Sequence, residues 1–442
     1  MDIVKKQGRN IINRIPTTQH QRGEDVYKKT VLPNGIRVVT EEIPHVRSVS
    51  VGLWFETGSR NETPENNGIS HFIEHMVFKG TKNRSVKEIA QSIESVGGYH
   101  NAFTSKEHTC YYARVLDEHV ELAIDVLSDL ALNPLFPAKE LEKEKGVVLE
   151  ELKQIEDDPD DIIHDYFEKA IYGEHPLGMP VIGTEKSVKN FNRRQLLQYC
   201  KQHYTADNLV VAVAGNVRHD TVINLVNKYV SGLKRSSVQR IPVTSGDFTV
   251  STNRILMERP IQQAHICIGG VAYGIKDKRR HALQVLNTLL GEGMSSLLFQ
   301  NIREKYGFTY SIYSYHNMLI DTGSFGVYVG TDKKHIDKCI ELVWKELNDL
   351  RRKPISQKDL TRTKDQLKGS MMLGLENIPN RMIRLGNSEL YFGELTSLND
   401  IIQHIDAVTV ENVLEVAQDL FKEDRFASVI FTPSKAALHT EQ

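Results

Sequence analysis

A chain of 442 residues exceeds one ordinary hydrophobic core, so more than one domain is expected, and two is the starting expectation. Its 40% apolar and 25% charged residues exclude general disorder, which is confined to the ends. The formal net charge of -2 gives no long-range field to gather nucleic acid or an anionic membrane, and no run of 18 apolar residues exists to span a bilayer.

In chain order, residues 1–24 read as an N-terminal extension, with Lys5, Lys6, Arg9, Arg14 and Arg22 among scattered isoleucines. It lacks the apolar block of a secretory signal and is poor in serine, which favours a cytoplasmic protein. A transit peptide to the mitochondrial matrix is the alternative. Alternation in Lys28–Leu32 and Ile36–Thr40 around Pro33-Asn34-Gly35 predicts two strands joined by a tight turn. Val49–Phe55 predicts another strand. A helix is expected from Ile69, after the polar turn-forming segment Asn61–Gly68. Apolar residues recurring at three and four predict helices over Val86–Val96, Asp117–Asn133 and Lys139–Ile155, with Tyr99–Leu116 between the first two as a hairpin. Strands and helices in this order predict an α+β fold of largely antiparallel sheets with helices packed on them.

The second half repeats the first. Lys139-Glu-Leu141 opens one long helix as Lys358-Asp-Leu360 opens another, 219 residues on. Val49–Phe55 corresponds to Ala264–Gly270, and the segment from Tyr204 to that from Phe421. A repeat of this kind makes each copy a foldable unit. Two homologous domains follow, residues 25–230 and 247–442, joined by a Ser-, Gly- and Pro-interrupted linker at 231–246. The four cysteines, Cys110, Cys200, Cys267 and Cys339, are too dispersed for a disulfide framework or a zinc site and read as reduced thiols.

His71-Phe-Ile-Glu74-His75 carries the chemistry. Residues four apart share a helix face, so His71 and His75 can offer two imidazoles to one ion with Glu74 beside them. Imidazole nitrogens with a carboxylate suit zinc, three protein ligands leave a position for water, and a nearby carboxylate can accept that water's proton. The order H-x-x-E-H is the inverzincin signature. By itself it competes with a helix whose histidines face solvent.

The surrounding stretch, Gly68-Ile-Ser-His-Phe-Ile-Glu-His-Met-Val-Phe-Lys-Gly-Thr81, resembles the pitrilysin family of zinc peptidases. It is most similar to the processing-peptidase branch, the mitochondrial processing peptidase β subunit and its bacterial homologues, and the resemblance covers nearly the whole chain. It implies a zinc endopeptidase with Glu74 as general base. It also implies a third ligand about 76 residues beyond the second histidine, inside Glu144-Lys-Gly-Val-Val-Leu-Glu-Glu151, which selects Glu151 with Glu150 as rival. Glu144, two turns earlier on nearly the same face, is implied to support a ligand histidine or the water. The segment around Asn101, Ala102 and Phe103 resembles the family's edge strand, beside which substrate runs extended. His100 and His108, by contrast, read as ordinary hairpin residues.

In the second copy Glu144 and Glu151 fall on Thr363 and Ser370, so one zinc per chain is expected. The family resemblance of Gly291–Tyr310 implies that Arg303 and Tyr310 approach the scissile peptide. It further implies a chamber of four such units, hence a homodimer or a heterodimer with a related subunit acting on peptide substrates. A non-catalytic core subunit of the same fold is the alternative function, and the intact motif disfavours it. A small-molecule metallohydrolase ranks last, since it gives no reason for a second half without ligands.

Overall fold

The computed structural model of the chain describes residues 17–20, 26–236 and 254–434. Its first sheet contains β1 (Thr17–His20), β2 (Val26–Val31), β3 (Arg37–Glu42), β4 (Ser48–Phe55), β5 (Tyr99–Thr104), β6 (Thr109–Leu116) and β7 (Leu209–Gly215). The order across it is β1-β2-β3-β7-β4-β6-β5. The β2–β3 turn closes because Gly35 takes a positive φ of 98°, which a residue without Cβ adopts cheaply. Thr17–His20, expected within an N-terminal extension, instead pairs with β2 as the outermost strand. The remainder of residues 1–24 and most of the expected linker lie outside the described residues.

The helices of this half are α1 (Ile69–Val77), α2 (Val86–Glu94), α3 (Val120–Leu132), α4 (Ala138–Asp157), α5 (Pro159–Tyr172), α6 (Glu185–Asn190), α7 (Arg193–His203) and α8 (His219–Tyr229). The second half holds β8 (Arg254–Arg259), β9 (Ala264–Ala272), β10 (Thr309–Met318), β11 (Gly323–Thr331) and β12 (Ala427–Pro433). Its helices are α9 (Arg280–Gly291), α10 (Ile336–Arg352), α11 (Gln357–Gly374), α12 (Ile378–Phe392), α13 (Leu398–Asp406) and α14 (Val410–Leu420). The second sheet runs β10-β11-β9-β12-β8. Strand for strand this matches β5-β6-β4-β7-β3, including one parallel pair in each, β3 with β7 and β8 with β12. The expected duplication is therefore a duplication of topology as well as of element order.

Each sheet buries one face under its own helices. Val51, Leu53 and Phe55 pack with Phe72, Ile73 and Met76 in the first half, and Ile266, Ile268 and Val327 with Leu283, Leu286 and Leu290 in the second. The opposite faces are covered by exchange. Helix α5 lays Ile163, Phe167 and Ile171 on Cys267, Val429 and Phe431 of the second sheet. Helix α12 returns the arrangement, with Met382 and Leu385 against Trp54, Val210 and Ala212 of the first. The α4–α5 corner that permits this is set by Asp158, which caps α5 through Asp160 N, and by Pro159 in its first turn. All four cysteines are free and none is exposed, and no described helix is long and apolar enough to cross a membrane.

Close approach of α12 depends on Gly386, where a β-carbon would fall 2.3 Å from the Trp54 ring. Gly386→Ala is accordingly expected to destabilise the protein by about 1–3 kcal/mol, because overpacking a buried ring outweighs the gain in helix propensity. A lowered denaturant midpoint checks this. An unchanged or raised midpoint would show that Trp54 yields without cost.

Candidate metal centre

Helix α1 turns Ile69, Phe72, Ile73 and Met76 into the core, which leaves His71, Glu74 and His75 on the other face. Its N-terminus has no side-chain cap from Gly68, whose φ is 88° and whose β-carbon would strike the carbonyl of Ile182. The cap comes instead from Glu62. This buried carboxylate accepts from Gly68 N at 2.7 Å, Ser70 N at 2.9 Å and Asn67 Nδ2 at 3.1 Å. Burial raises its pKa against those bonds, while the helix dipole favours the charge. Sequence reasoning treated Glu62 only as part of a polar turn. Glycine where a capping side chain is usual was the one available signal.

Helix α4 lies against α1 and brings Glu144 and Glu151, two turns apart, to the histidines. Glu151 Oε1 is 3.8 Å from His71 Nε2, and its Oε2 is 3.4 Å from His75 Nε2. One ligand atom from each of His71, His75 and Glu151 can be chosen so that all lie within 4.8 Å of one another. Glu144 is buried, with Oε1 3.0 Å from His75 Nδ1 and Oε2 2.8 Å from Lys79 Nζ. An ionised carboxylate only accepts, so His75 donates from Nδ1 and turns Nε2 towards Glu151. Glu150 points elsewhere: its side chain is 73% exposed and pairs with Lys153 at 2.7 Å.

The electrostatics divide the two imidazoles. Burial, reinforced by the neighbouring His75, lowers His71 to about 4 and keeps it neutral. Burial acts against the charge on His75 too, but its hydrogen bonds to Glu144 and Glu151 prevail and raise it to about 9. The bond to His75 holds Glu151 low, and the His75 and Lys79 partners do the same for Glu144 against its burial. Glu74 is pushed up by burial, opposed by the Thr104 hydroxyl, which donates to its Oε2 at 2.5 Å. Two imidazoles facing a low-pKa carboxylate, one of them locked through its far nitrogen by another, fit a divalent transition metal such as zinc. Thr104 was also missed from the sequence, since nothing local links position 104 to position 74.

The remaining expected residues are outside the group that could hold a metal. Strand β5, carrying Asn101, Ala102 and Phe103, is the edge of the first sheet and, among the described residues, pairs only with β6. Ala102 packs towards α1, whereas the Phe103 ring sits on the opposite face, 5.4 Å from that of Trp54. His100 packs near Phe78, and His108 is buried among Trp54, Phe103 and Tyr391. Arg303 lies in a π-helical turn over the Phe299 ring, and Tyr310 lies on β10, the edge of the second sheet. Neither makes a hydrogen bond or ion pair with the histidine–glutamate cluster; the Tyr310 hydroxyl is 3.4 Å from Asp332.

Residues 37–185 match the family model described as Insulinase (Peptidase family M16), and residues 190–367 the one described as Peptidase M16 inactive domain. An uncharacterized zinc protease of Bacillus subtilis, YmxG, is 45% identical over 407 residues, 92% of this chain and 98% of the relative. An uncharacterized zinc protease of Streptomyces coelicolor is 41% identical over 415 residues, 93% of this chain and 90% of that one. Among solved structures, a protease from Helicobacter pylori superposes with a TM-score of 0.84 at 23% identity, over 92% of this chain and all of the other. A Pseudomonas fluorescens structure titled peptidase M16 inactive domain gives 0.84 at 22%, over 92% and 98%. At that identity the two structures speak for the fold.

Proposed function

The chain belongs to the M16 (insulinase) family of peptidases, and we propose that it is a zinc-dependent endopeptidase acting on extended or unstructured peptides. The observation that carries this reading is the convergence of His71, His75 and Glu151 around one point, with Glu74 beside them and outside the ligand set. When bound there, zinc supplies Lewis acidity towards the scissile carbonyl and lowers the pKa of water towards about 7.

The chain's own residues do the rest. Glu74 accepts the proton of the attacking water on its carboxylate and returns it to the leaving amine, a task suited by a buried acid of raised pKa. The Thr104 hydroxyl holds one oxygen of Glu74 and so fixes where the other points. Glu144 holds His75 in the tautomer that presents Nε2. The free side of β5 takes substrate as an added strand, through the backbone of Asn101 and Ala102, while Phe103 braces that strand against Trp54. Arg303 and Tyr310 are assigned to the carbonyl oxygen, from the half whose family model is described as inactive.

We assign residues 25–230 to the catalytic domain and 247–442 to its homologous partner without metal ligands. Two such chains, identical or related, would enclose the chamber. The named relatives are bacterial, which agrees with a cytoplasmic location.

Metal content tests the centre directly. Elemental analysis of the zinc-supplied chain should give one zinc per chain, with Glu151→Gln lowering retention severely and Glu150→Gln leaving it unchanged. The reverse pair of outcomes would reassign the third ligand, and two zincs or none would contradict the site.

A further inference from the structure

The second half contains a cavity of about 560 Å³ at the place corresponding to the metal centre. Strand registers fix the correspondence. Val49 of β4 pairs with Val115 and its repeat partner Ala264 of β9 pairs with Thr331, so Thr109 of β6 corresponds to Phe325 of β11. Thr109 faces Thr104 across the first hairpin, and Phe325 faces His316 across the second. His316 thus stands where Thr104 stands, and Ser370 of α11 where Glu151 stands on α4. Both line the cavity, together with His281 and Gln284 of α9, the helix in the place of α1. Helices α12 and α13 complete its wall.

The chemistry of this cavity has been inverted. Among the described residues no aspartate or glutamate lines it, while two arginines and two histidines do. Arg280 donates to the carbonyl of Ile275 at 2.9 Å and lies over the Phe392 ring, and it forms no ion pair among the described residues. Burial disfavours its charge, yet a guanidinium stays protonated. His281 Nε2 and His316 Nδ1 are buried without a hydrogen-bond partner among the described residues. A partly desolvated cation beside an unsatisfied ring nitrogen is costly, and an acceptor-bearing anion would satisfy Arg280 and, in its Nδ1–H tautomer, His316. His281 Nε2, left as an acceptor because Nδ1 donates to Gln284 Oε1, would take a donor such as water instead. The rest of the wall is largely apolar, with Leu367, Met371 and Ile405 contributing.

We propose that this cavity binds an apolar carboxylate, its acid group meeting Arg280 and its hydrocarbon part lying against Leu367, Met371 and Ile405. Arg280 has no ion pair among the described residues, whereas Arg384 is already engaged and donates to the Thr396 carbonyl, so a singly charged head on an apolar body suits this mostly apolar wall better than a bare dianion. The C-terminal residue of a peptide and a free aliphatic acid share this chemistry. The inference needs only the cavity, so it stands independently of the peptidase reading.

Calorimetry on the full chain tests it with 4-methylpentanoate and its neutral isostere 4-methylpentanamide, neither of which has a peptide bond to cleave. The acid should bind, and the amide about ten- to hundred-fold more weakly, the worth of a hydrogen bond to a charged group. Arg280→Gln should abolish the preference. Because Arg280 also bonds Ile275, Ser370→Phe is the second variant: it fills the cavity from an exposed position and should remove acid binding while circular dichroism and zinc content stay normal. Equal binding of acid and amide, full affinity in either variant, or inorganic phosphate competing as well as the acid would overturn the proposal. The source is assigned on Glu74→Gln with a short leucine-terminated peptide, carboxylate against amide. Because Glu74→Gln still binds peptide at the metal centre, only the part of the peptide heat that 4-methylpentanoate displaces and that Glu74→Gln/Ser370→Phe loses is counted. Tighter binding of the peptide acid than of 4-methylpentanoate on that measure identifies a peptide terminus, and equal or weaker binding a free acid; both support the shared chemistry. Since the readout is heat of binding, an inactive enzyme would leave this result standing, and failure here would leave the peptidase reading standing.

Discussion

Replacing Glu74 by Gln is expected to lower peptide turnover by about 10²–10⁴-fold while zinc and peptide are still bound. The substitution is nearly isosteric, and the amide oxygen of Gln can still accept from Thr104, so the α1–β5 contact survives. What disappears is the capacity to take a proton, since an amide is not a base at neutral pH. His71, His75 and Glu151 are untouched, and Glu74 is outside the ligand set, so elemental analysis should read the same zinc content as in the parent chain. The measurements are turnover of a fluorogenic peptide, zinc content and peptide affinity by anisotropy. Near-normal turnover would remove Glu74 from the proton transfer, and loss of zinc would make it a ligand or a structural support of one.

Tyr310→Phe and Arg303→Ala are each expected to cost roughly 2.7–4 kcal/mol of transition-state stabilisation, a fall of about 10²–10³ in catalytic rate. Tyr310 lies on the edge strand equivalent to β5, its side chain is 54% exposed, and its hydroxyl has only a long bond to Asp332. A hydroxyl so weakly engaged is available to an oxygen that gains negative charge. Arg303 is exposed and stacked on Phe299, with no carboxylate partner among the described residues, so its guanidinium is likewise available. Neither side chain is part of a core, and thermal stability and zinc content should therefore be unchanged. The loss should fall on the catalytic rate more than on KM, because the interaction strengthens as the carbonyl oxygen becomes an oxyanion. A variant with unaltered kinetics would show that its residue has no part in the reaction.

The sequence by itself determined the elements and their repetition. The strand readings gave β2, β3 and β4 to within two residues, periodicity at three and four gave α2 and α4 as closely and α3 to within three, and the polar turn before Ile69 gave the start of α1. The spacing of His71, Glu74 and His75 placed them on one helix face, and the interval of seven did the same for Glu144 and Glu151, because helical geometry is a local property of the chain. Partnership across the fold was decided only by tertiary structure. Nothing near Gly386 or Trp54 announces that α12 crosses to the first sheet while α5 crosses to the second, since an apolar face encodes that it is buried and not what buries it. Thr17–His20 reads as an extension until β2 offers it a hydrogen-bonded edge. Glu62 becomes a helix cap, Thr104 a brace for Glu74, and His316 the counterpart of Thr104 through contacts and registers between distant segments. Such groupings depend on which segments pack or pair, and side-chain periodicity carries no record of that choice.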